Sequence, residues 1–195
     1  MSRHIQHGLD ERHRIAAADL YWQAFGSKLN AVMGPKPRAL AYLNRVMRLD
    51  LCISVLEADQ LLGIVGLQSP SGSFAGGSAA DFRAIYGQAR GMLRMPAMIW
   101  VGGKPVADNT LMIDGFSVAL PARGQGIGGA LLHEVLAHAR NIGFQSVQLD
   151  VIDSNWRAKA FYTRHGFSTQ SRRSIWPLGP LFGFQSVLRM ARHLE

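Results

Sequence analysis

The chain has 195 residues, with 48% hydrophobic and 17% charged residues and a formal net charge of +8. This composition is typical of one folded globular domain and excludes disordered, collagen-like and coiled-coil proteins. The positive charge favours phosphate-bearing partners, but no run of five or more basic residues is present, so nucleic acid is not an expected partner.

The N-terminal part predicts one short strand and two helices. Residues 3–7 suit a strand, and Asp10 and Glu11 begin an amphipathic helix whose apolar positions are Ile15, Leu20, Trp22 and Phe25. Pro35 and Pro37 are expected to end that helix, and a second helix is predicted over residues 38–49. The first strong strand therefore comes only after two helices.

Residues 51–57 and 61–67 are short apolar runs separated by three polar or small residues, which predicts a β-hairpin. The single cysteine, Cys52, lies in the first run. It cannot form an internal disulfide and is interpreted as a buried small hydrophobic residue rather than a nucleophile.

An insertion is predicted at about residues 69–109. A Ser/Gly-rich stretch opens it, a helical pattern follows over residues 81–95, and the apolar run 92–101 ends at two glycines. The apolar run is interpreted first as additional core, with a substrate lid or a homodimer surface left as alternatives.

The next segment has the order strand, glycine-rich turn, helix. Residues 111–118 are apolar on both faces, as in a central strand, and a helical apolar repeat starts at Ile127. Glycines at a helix start let the backbone approach a ligand, and the free N–H groups favour phosphate. The sequence therefore predicts an anion site at this turn, with Arg123 adding a positive charge.

One alternative cofactor is a dinucleotide. Gly124, Gly126 and Gly129 satisfy the pattern G-x-G-x-x-G, and Asp150 on the next strand lies roughly where a ribose-binding acid would be expected. Three residues separate the strand from the turn, which is unusual for such a domain. An NAD-binding domain stays open as a less favoured interpretation.

Two motifs carry a more specific resemblance. Residues 116–128 read FSVALPARGQGIG, and residues 155–167 read NWRAKAFYTRHGF. They resemble, in order, the pyrophosphate-binding turn Arg/Gln-x-x-Gly-x-Gly/Ala and the second signature of the GNAT superfamily of acyl-CoA-dependent N-acetyltransferases. The resemblance covers about residues 110–168 and is weaker at the last predicted strand, residues 184–194.

The resemblance implies an α/β (α+β) fold with a mixed, mostly antiparallel sheet of six to seven strands, flanking helices and splayed central strands. It predicts a single acyltransferase domain over residues 1–195. It also implies acetyl-CoA (CoA) as cofactor, and the cofactor-binding residues are then Phe116, Ser117, Val118, Arg123, Gly124, Gln125, Gly126, Ile127, Gly128, Gly129, Asn155 and Tyr162.

Two side chains are candidates for catalysis. Asp114 matches the position where the family frequently carries glutamate and is the expected general base, since an apolar setting would raise its pKa. Strand alternation puts Asp114 on the face of Phe116 and Val118; a buried carboxylate paired with an arginine is its alternative role. Asp150 and Asp153 are the fallback bases. Tyr162 is the expected general acid, although packing alone could also explain it.

The predicted function is transfer of an acetyl group from acetyl-CoA to a primary amine, by direct attack and without a metal. The acceptor is a small-molecule or peptide amine of unknown identity. A non-catalytic acyl-CoA-binding module of the same fold remains an alternative. The chain lacks a secretory signal and a run of about 20 apolar residues, so a cytoplasmic location without a membrane partner is expected.

Overall fold

A computed structural model describes residues 2–88 and 107–194. Its strands are β1 (Arg3–His7), β2 (Cys52–Glu57), β3 (Gln60–Ser69), β4 (Gly72–Ser73), β5 (Thr110–Val118), β6 (Ser146–Ile152), β7 (Ser168–Ser174) and β8 (Ser186–His193). Its helices are α1 (Arg14–Met33), α2 (Lys36–Val46), α3 (Ala79–Tyr86), α4 (Ile127–Asn141), α5 (Trp156–Arg164) and α6 (Gly179–Phe182).

The strands form one mixed sheet in the order β1-β2-β3-β5-β6-β8-β7, with the two-residue β4 paired to β3. Every pairing is antiparallel except that of β5 with β6. The predicted fold class, a mostly antiparallel mixed sheet with flanking helices, is therefore confirmed. Seven strands lie on the continuous path, and β4 is an addition to it.

The two parallel strands separate partway along their length. Their register runs from Thr110 opposite Ser146 to Ile113 opposite Leu149 and ends there, although β5 continues to Val118 and β6 to Ile152. Beyond residue 113, the edge of β5 that faces β6 pairs with no strand of the described residues. The predicted splay of the central strands is thus present, and it opens a cleft at the carboxyl end of β5.

Apolar side chains form two clusters, one on each face of the sheet. One cluster joins the sheet to α1, α2 and α3. The other joins it to α4 and contains Leu131, Leu132 and Val135, none of which has measurable exposure. Burial of this apolar surface is the main source of stability, and it fixes α1 and α4 on opposite sides of β5.

The helix boundaries depart from the prediction at the prolines. Pro35 is the N-cap of α2 and Pro37 lies in its first turn, where a missing N–H costs nothing. The prolines therefore start the second helix as well as following the first. Ile15 was predicted to be on the buried face of α1 but is 75% exposed.

None of the described helices is long and apolar enough to cross a membrane.

The predicted hairpin is confirmed, with a tight turn at Ala58 and Asp59, both at positive φ. Cys52 is 2% exposed, and burial raises the pKa of its thiol to about 12. In the predicted insertion, the structure shows β4 and α3. The helical pattern predicted over residues 81–95 is interrupted at Gly87, which ends α3 at a positive φ of 78°. Residues 89–95 of that pattern and the apolar run 92–101 lie outside the described residues.

The sequence contains no hydrophobic pattern that predicts strand β7. β7 is an edge strand whose residues are almost all exposed and polar, so the alternation that identifies a half-buried strand is missing. Its partner β8, with five of its eight residues buried, matches the predicted last strand.

Candidate active site

The turn before α4 presents a row of free backbone donors. Gly124 and Gly126 have φ of +78° and +81°, a left-handed conformation that favours glycine. Among the described residues, the N–H groups of residues 124–129 donate to no carbonyl or side chain. Because the positive end of the α4 dipole lies at the same place, the turn is suited to an anion.

Side-chain hydrogen bonds connect this turn to neighbouring parts of the chain. The Nε of Arg123 donates to the carbonyl of Val118 at 3.0 Å, and the Nε2 of Gln125 donates to the carbonyl of Pro121 at 2.9 Å. The guanidinium of Arg3 on β1 also donates to the Oε1 of Gln125. These bonds tie the turn to the end of β5, so its donors are held in place before any ligand arrives.

The first residues of α4 differ in environment. The side chain of Ile127 is 4% exposed and belongs to the core, so only its backbone faces the turn. A Cβ on Gly128 would lie 3.5 Å from the ring of Phe161 and 3.8 Å from that of Phe116. Glycine there keeps open the space between the turn and these rings, while Gly129 lies near His165.

The three residues of β5 that were predicted to bind the cofactor lie on both faces of the strand. Phe116 and Val118 are half-buried against the α4 cluster. Ser117 points to the opposite face, and its hydroxyl is buried without a hydrogen-bond partner among the described residues. All three line the same cavity. A buried hydroxyl with no partner is unfavourable, so Ser117 is a natural contact for a ligand in this cavity.

This cavity has a volume of about 990 Å³ and connects two regions. On one side it reaches Arg123, Asn155 and Tyr162 near the turn and the splayed strands; on the other it reaches the side chains of α1, α2 and α3. Asp114 lines it between these regions. The volume is at the upper end of the range for small-molecule sites.

Asp114 is held by the segment around β4. Its Oδ2 accepts a hydrogen bond from the hydroxyl of Ser73 and a second, at 3.0 Å, from the N–H of Ala75. No described residue donates to Oδ1. The alternative role, a carboxylate paired with an arginine, is therefore not what the structure shows, and one carboxylate oxygen is left for a ligand.

A β-bulge changes the face on which Asp114 lies. In the β3–β5 register Gly66 pairs with Gly115 and Leu67 with Ile113, so Asp114 is the unpaired extra residue. The expectation that Asp114 shares a face with Phe116 and Val118 is wrong. The carboxylate lies on the α1 face instead, because the bulge shifts the alternation by one residue.

Burial is the largest influence on the pKa of Asp114. Desolvation raises the pKa of its carboxyl, and the two hydrogen bonds to Oδ2 oppose this rise without cancelling it. The neighbouring carboxylate in turn adds to the effect of burial in raising the pKa of the Tyr21 phenol. A carboxylate whose pKa is raised in this way holds a proton more strongly than an ordinary carboxylate, as a general base requires.

The two fallback candidates for the general base, Asp150 and Asp153, both accept hydrogen bonds from other residues of the chain. Asp150 is bound by Arg189 through two hydrogen bonds, of 2.9 and 3.0 Å. Burial acts to raise the pKa of Asp153, but hydrogen bonds from Ser186 and Gln185 outweigh it and leave the pKa low. Both carboxylates are therefore held by other residues of the chain.

Tyr162 stands where α5 meets the cleft. It is 6% exposed, its ring packs edge to face against Phe116 and Phe161, and desolvation raises the pKa of its phenol. Its hydroxyl forms no hydrogen bond with a described residue and is not among the fully enclosed polar atoms. The hydroxyl therefore remains protonated and accessible from the cavity that Tyr162 lines.

The side chain of Asn155 is the N-cap of α5. Its Oδ1 accepts a hydrogen bond from the N–H of Ala158 at 3.2 Å, which caps α5. The residue also lines the cavity, so the side-chain amide NH₂ stays available to a ligand. Contact with the cofactor remains a prediction for this residue.

Three further residues surround Asp114 and Gly115 that the sequence analysis did not identify as part of the site. Ser73 and Ala75 position Asp114, and Tyr21 covers Gly115, where a Cβ would lie only 2.6 Å from Cε2 of the tyrosine ring. The first two lie in the Ser/Gly-rich stretch that was interpreted as a plain insertion. No motif marks them, since their role depends on β4 folding back on β3.

Comparisons with known proteins agree on one family. A family model described as the acetyltransferase (GNAT) family matches residues 19–167. No significant match was found among curated proteins.

Solved structures with this fold cover the whole chain. The ribosomal-protein-S18-alanine N-acetyltransferase from Escherichia coli has a TM-score of 0.60 at 15% identity, covering 100% of this chain and 95% of its own. Ard1 from Thermoplasma volcanium has a TM-score of 0.63 at 15% identity, covering 100% and 99%.

A third structure was solved with a ligand. A Bacillus anthracis protein assigned as a streptothricin acetyltransferase, in complex with acetyl coenzyme A, has a TM-score of 0.50 at 14% identity and covers 74% of this chain and 62% of its own. At these identities the structural likeness shows a shared fold.

Proposed function

The chain belongs to the acetyltransferase (GNAT) family, and from that premise we propose that it transfers an acetyl group from acetyl-CoA to the primary amine of an acceptor. The observation that carries the proposal is the cavity that extends from Arg123, next to the predicted anion-binding turn, to Asp114 and Tyr162. A binding module alone would have no use for both a carboxylate of raised pKa and an accessible phenol.

The residues present suit acetyl-CoA. The free N–H groups of residues 124–129 would hold the pyrophosphate, and the unpartnered edge of β5 beyond residue 113 would hold the pantetheine arm. The buried hydroxyl of Ser117 lacks a partner that a ligand in the cleft could supply. When bound, acetyl-CoA supplies an activated acetyl thioester.

Asp114 and Tyr162 would then move the protons. Amines are protonated near neutral pH, so the acceptor must lose a proton before it can attack, and the free Oδ1 of Asp114 is the group to receive it. The phenol of Tyr162 would donate a proton to the leaving thiolate. No covalent enzyme intermediate is required, because the turn and cleft hold both substrates side by side.

Thermal unfolding tests the cofactor first. We expect acetyl-CoA and CoA, at a hundredfold excess over Kd, each to raise the Tm by about 5–10 °C, because they bind only the folded chain. NAD should leave the Tm unchanged. A shift with NAD alone would overturn the proposal and favour the dinucleotide interpretation of the turn. Thiol release can then be followed directly, since the protein's single thiol, Cys52, is buried.

Replacing Tyr162 with phenylalanine should lower kcat by about 10²-fold while the Kd for acetyl-CoA stays within about threefold, because only the proton donor is lost. Tyr86→Phe is the matched control. Its hydroxyl donates to the carbonyl of Met33, so that variant should lose stability but keep its kcat. Steady-state kinetics and acetyl-CoA titration check both. Equal kcat in Tyr162→Phe and wild type would contradict the acid role.

A further inference from the structure

The cavity beyond Asp114 is walled by an apolar stripe on α1. Tyr21, Phe25, Leu29 and Met33 recur every four residues, a spacing that puts them on one face of the helix, and all four line the cavity. The ring centroids of Tyr21 and Phe25 lie 4.6 Å apart. The stripe is therefore a continuous apolar surface that starts beside Asp114.

Four more aromatic rings complete this region. Tyr42 on α2 and Phe82 on α3 meet edge to face with ring centroids 5.5 Å apart, and Phe182 on α6 lies 5.9 Å from Phe184. All four rings line the cavity and are at most 5% exposed, so core packing fixes their positions. We use the name acceptor chamber for the space between these rings and the stripe on α1.

The described residues of the chamber include one carboxylate that is not paired with an arginine or lysine. Of the described residues that line the cavity, two are acidic, Asp114 and Asp150, and Asp150 is occupied by Arg189. The other polar side chains on the chamber's side are neutral: Gln23, Gln68, Ser73 and Ser78. One ammonium can therefore be neutralised, by Asp114, with the ring of Tyr21 nearby to favour a cation. A second buried ammonium would have no acidic partner among the described residues, which is strongly unfavourable.

We propose that the acceptor is a compact amine with a single ammonium group on an aromatic or aliphatic body, and not a polycation. The inference rests on the proposed function and defines its substrate class. The ammonium lies at Asp114, and the apolar body fills the acceptor chamber, where it is buried against the rings of α1 and α2.

Two matched pairs of amines test this class by thiol release in the presence of acetyl-CoA. Hexylamine and 1,6-diaminohexane differ by the second ammonium, and we expect kcat/KM to favour hexylamine by at least about tenfold. 2-Phenylethylamine and ethylamine differ by the phenyl ring, and burial of that ring should favour the former by about 100-fold. A diamine equal to or better than its monoamine would overturn the inference.

A specificity switch tests the chamber itself. Leu29→Glu places a second carboxylate on the stripe and should shift the ratio of kcat/KM values towards 1,6-diaminohexane by at least about tenfold. Ile15→Glu adds the same charge to α1 at a position that is 75% exposed and outside the cavity, and its ratio should stay at the wild-type value. An unchanged ratio in Leu29→Glu, with the acetyl-CoA Tm shift intact, would overturn the chamber as the acceptor site.

The inference and the proposed function fail in different ways. If spermidine or a peptide amine reacts while the monoamines do not, the acceptor class is wrong and acetyl transfer stands. Absence of monoamine turnover, with the acetyl-CoA Tm shift intact, also overturns the acceptor class. If acetyl-CoA and CoA leave the Tm unchanged and no amine releases thiol, the proposed function itself is wrong.

Discussion

Gly126→Glu should abolish binding of acetyl-CoA and CoA, with a loss of at least about 100-fold in affinity. The substituted carboxylate would stand at the N-terminus of α4, where the free N–H groups of residues 124–129 are expected to hold the pyrophosphate. Two negative groups cannot share this site. Calorimetric titration with CoA measures the loss directly.

Backbone strain must be separated from charge in this experiment. Gly126 has φ of +81°, and any side chain there adds roughly 1–2 kcal/mol of strain. Gly143, at the other end of α4, has φ of +86° and, like Gly126, no heavy atom within 4 Å of a built Cβ. Gly143→Glu therefore reproduces the strain and the charge away from the turn, and it should bind CoA normally. Retained CoA binding in Gly126→Glu would refute the assigned site.

Asp114→Asn should lower kcat/KM by about 10²–10⁴-fold, because the amide cannot accept the ammonium proton. The Kd for acetyl-CoA should not change. The wild-type rate should rise with pH as Asp114 ionises, above the ordinary range of a carboxylic acid because burial raises its pKa. The variant should lose this limb of the pH profile. A variant with the wild-type profile would exclude Asp114 as the base.

The same variant should be at least as stable as wild type at pH 7. Because the folded pKa is raised, Asp114 favours folding below its unfolded pKa, and this contribution is lost as pH rises through the folded value. Asparagine carries no charge to bury, and its oxygen can still accept from Ser73 and Ala75. Chemical denaturation at pH 4 and pH 7 checks the sign. Loss of activity together with raised stability at pH 7 would show that the activity loss is not due to unfolding.

Local patterns predicted much of the sheet and the cofactor side. The hairpin of β2 and β3, the central strand β5, and α5 with its cap Asn155 are each specified by neighbouring residues, so short windows reveal them. The edge strand β7 has no apolar alternation and was missed. The role of residues 89–106 and the extent of the domain remain predictions.

By itself, the sequence determined the family, the fold class and the position of the glycine-rich turn that is proposed to bind an anion, because spacing and glycines within a few residues carry that information. Only the tertiary structure decided which face Asp114 occupies, since a single bulged residue reverses the alternation. It also brought Ser73, Ala75 and Tyr21 to that carboxylate from segments 39 or more residues away in the chain. Such contacts depend on how helices and strands pack across the sheet, and no local pattern records them.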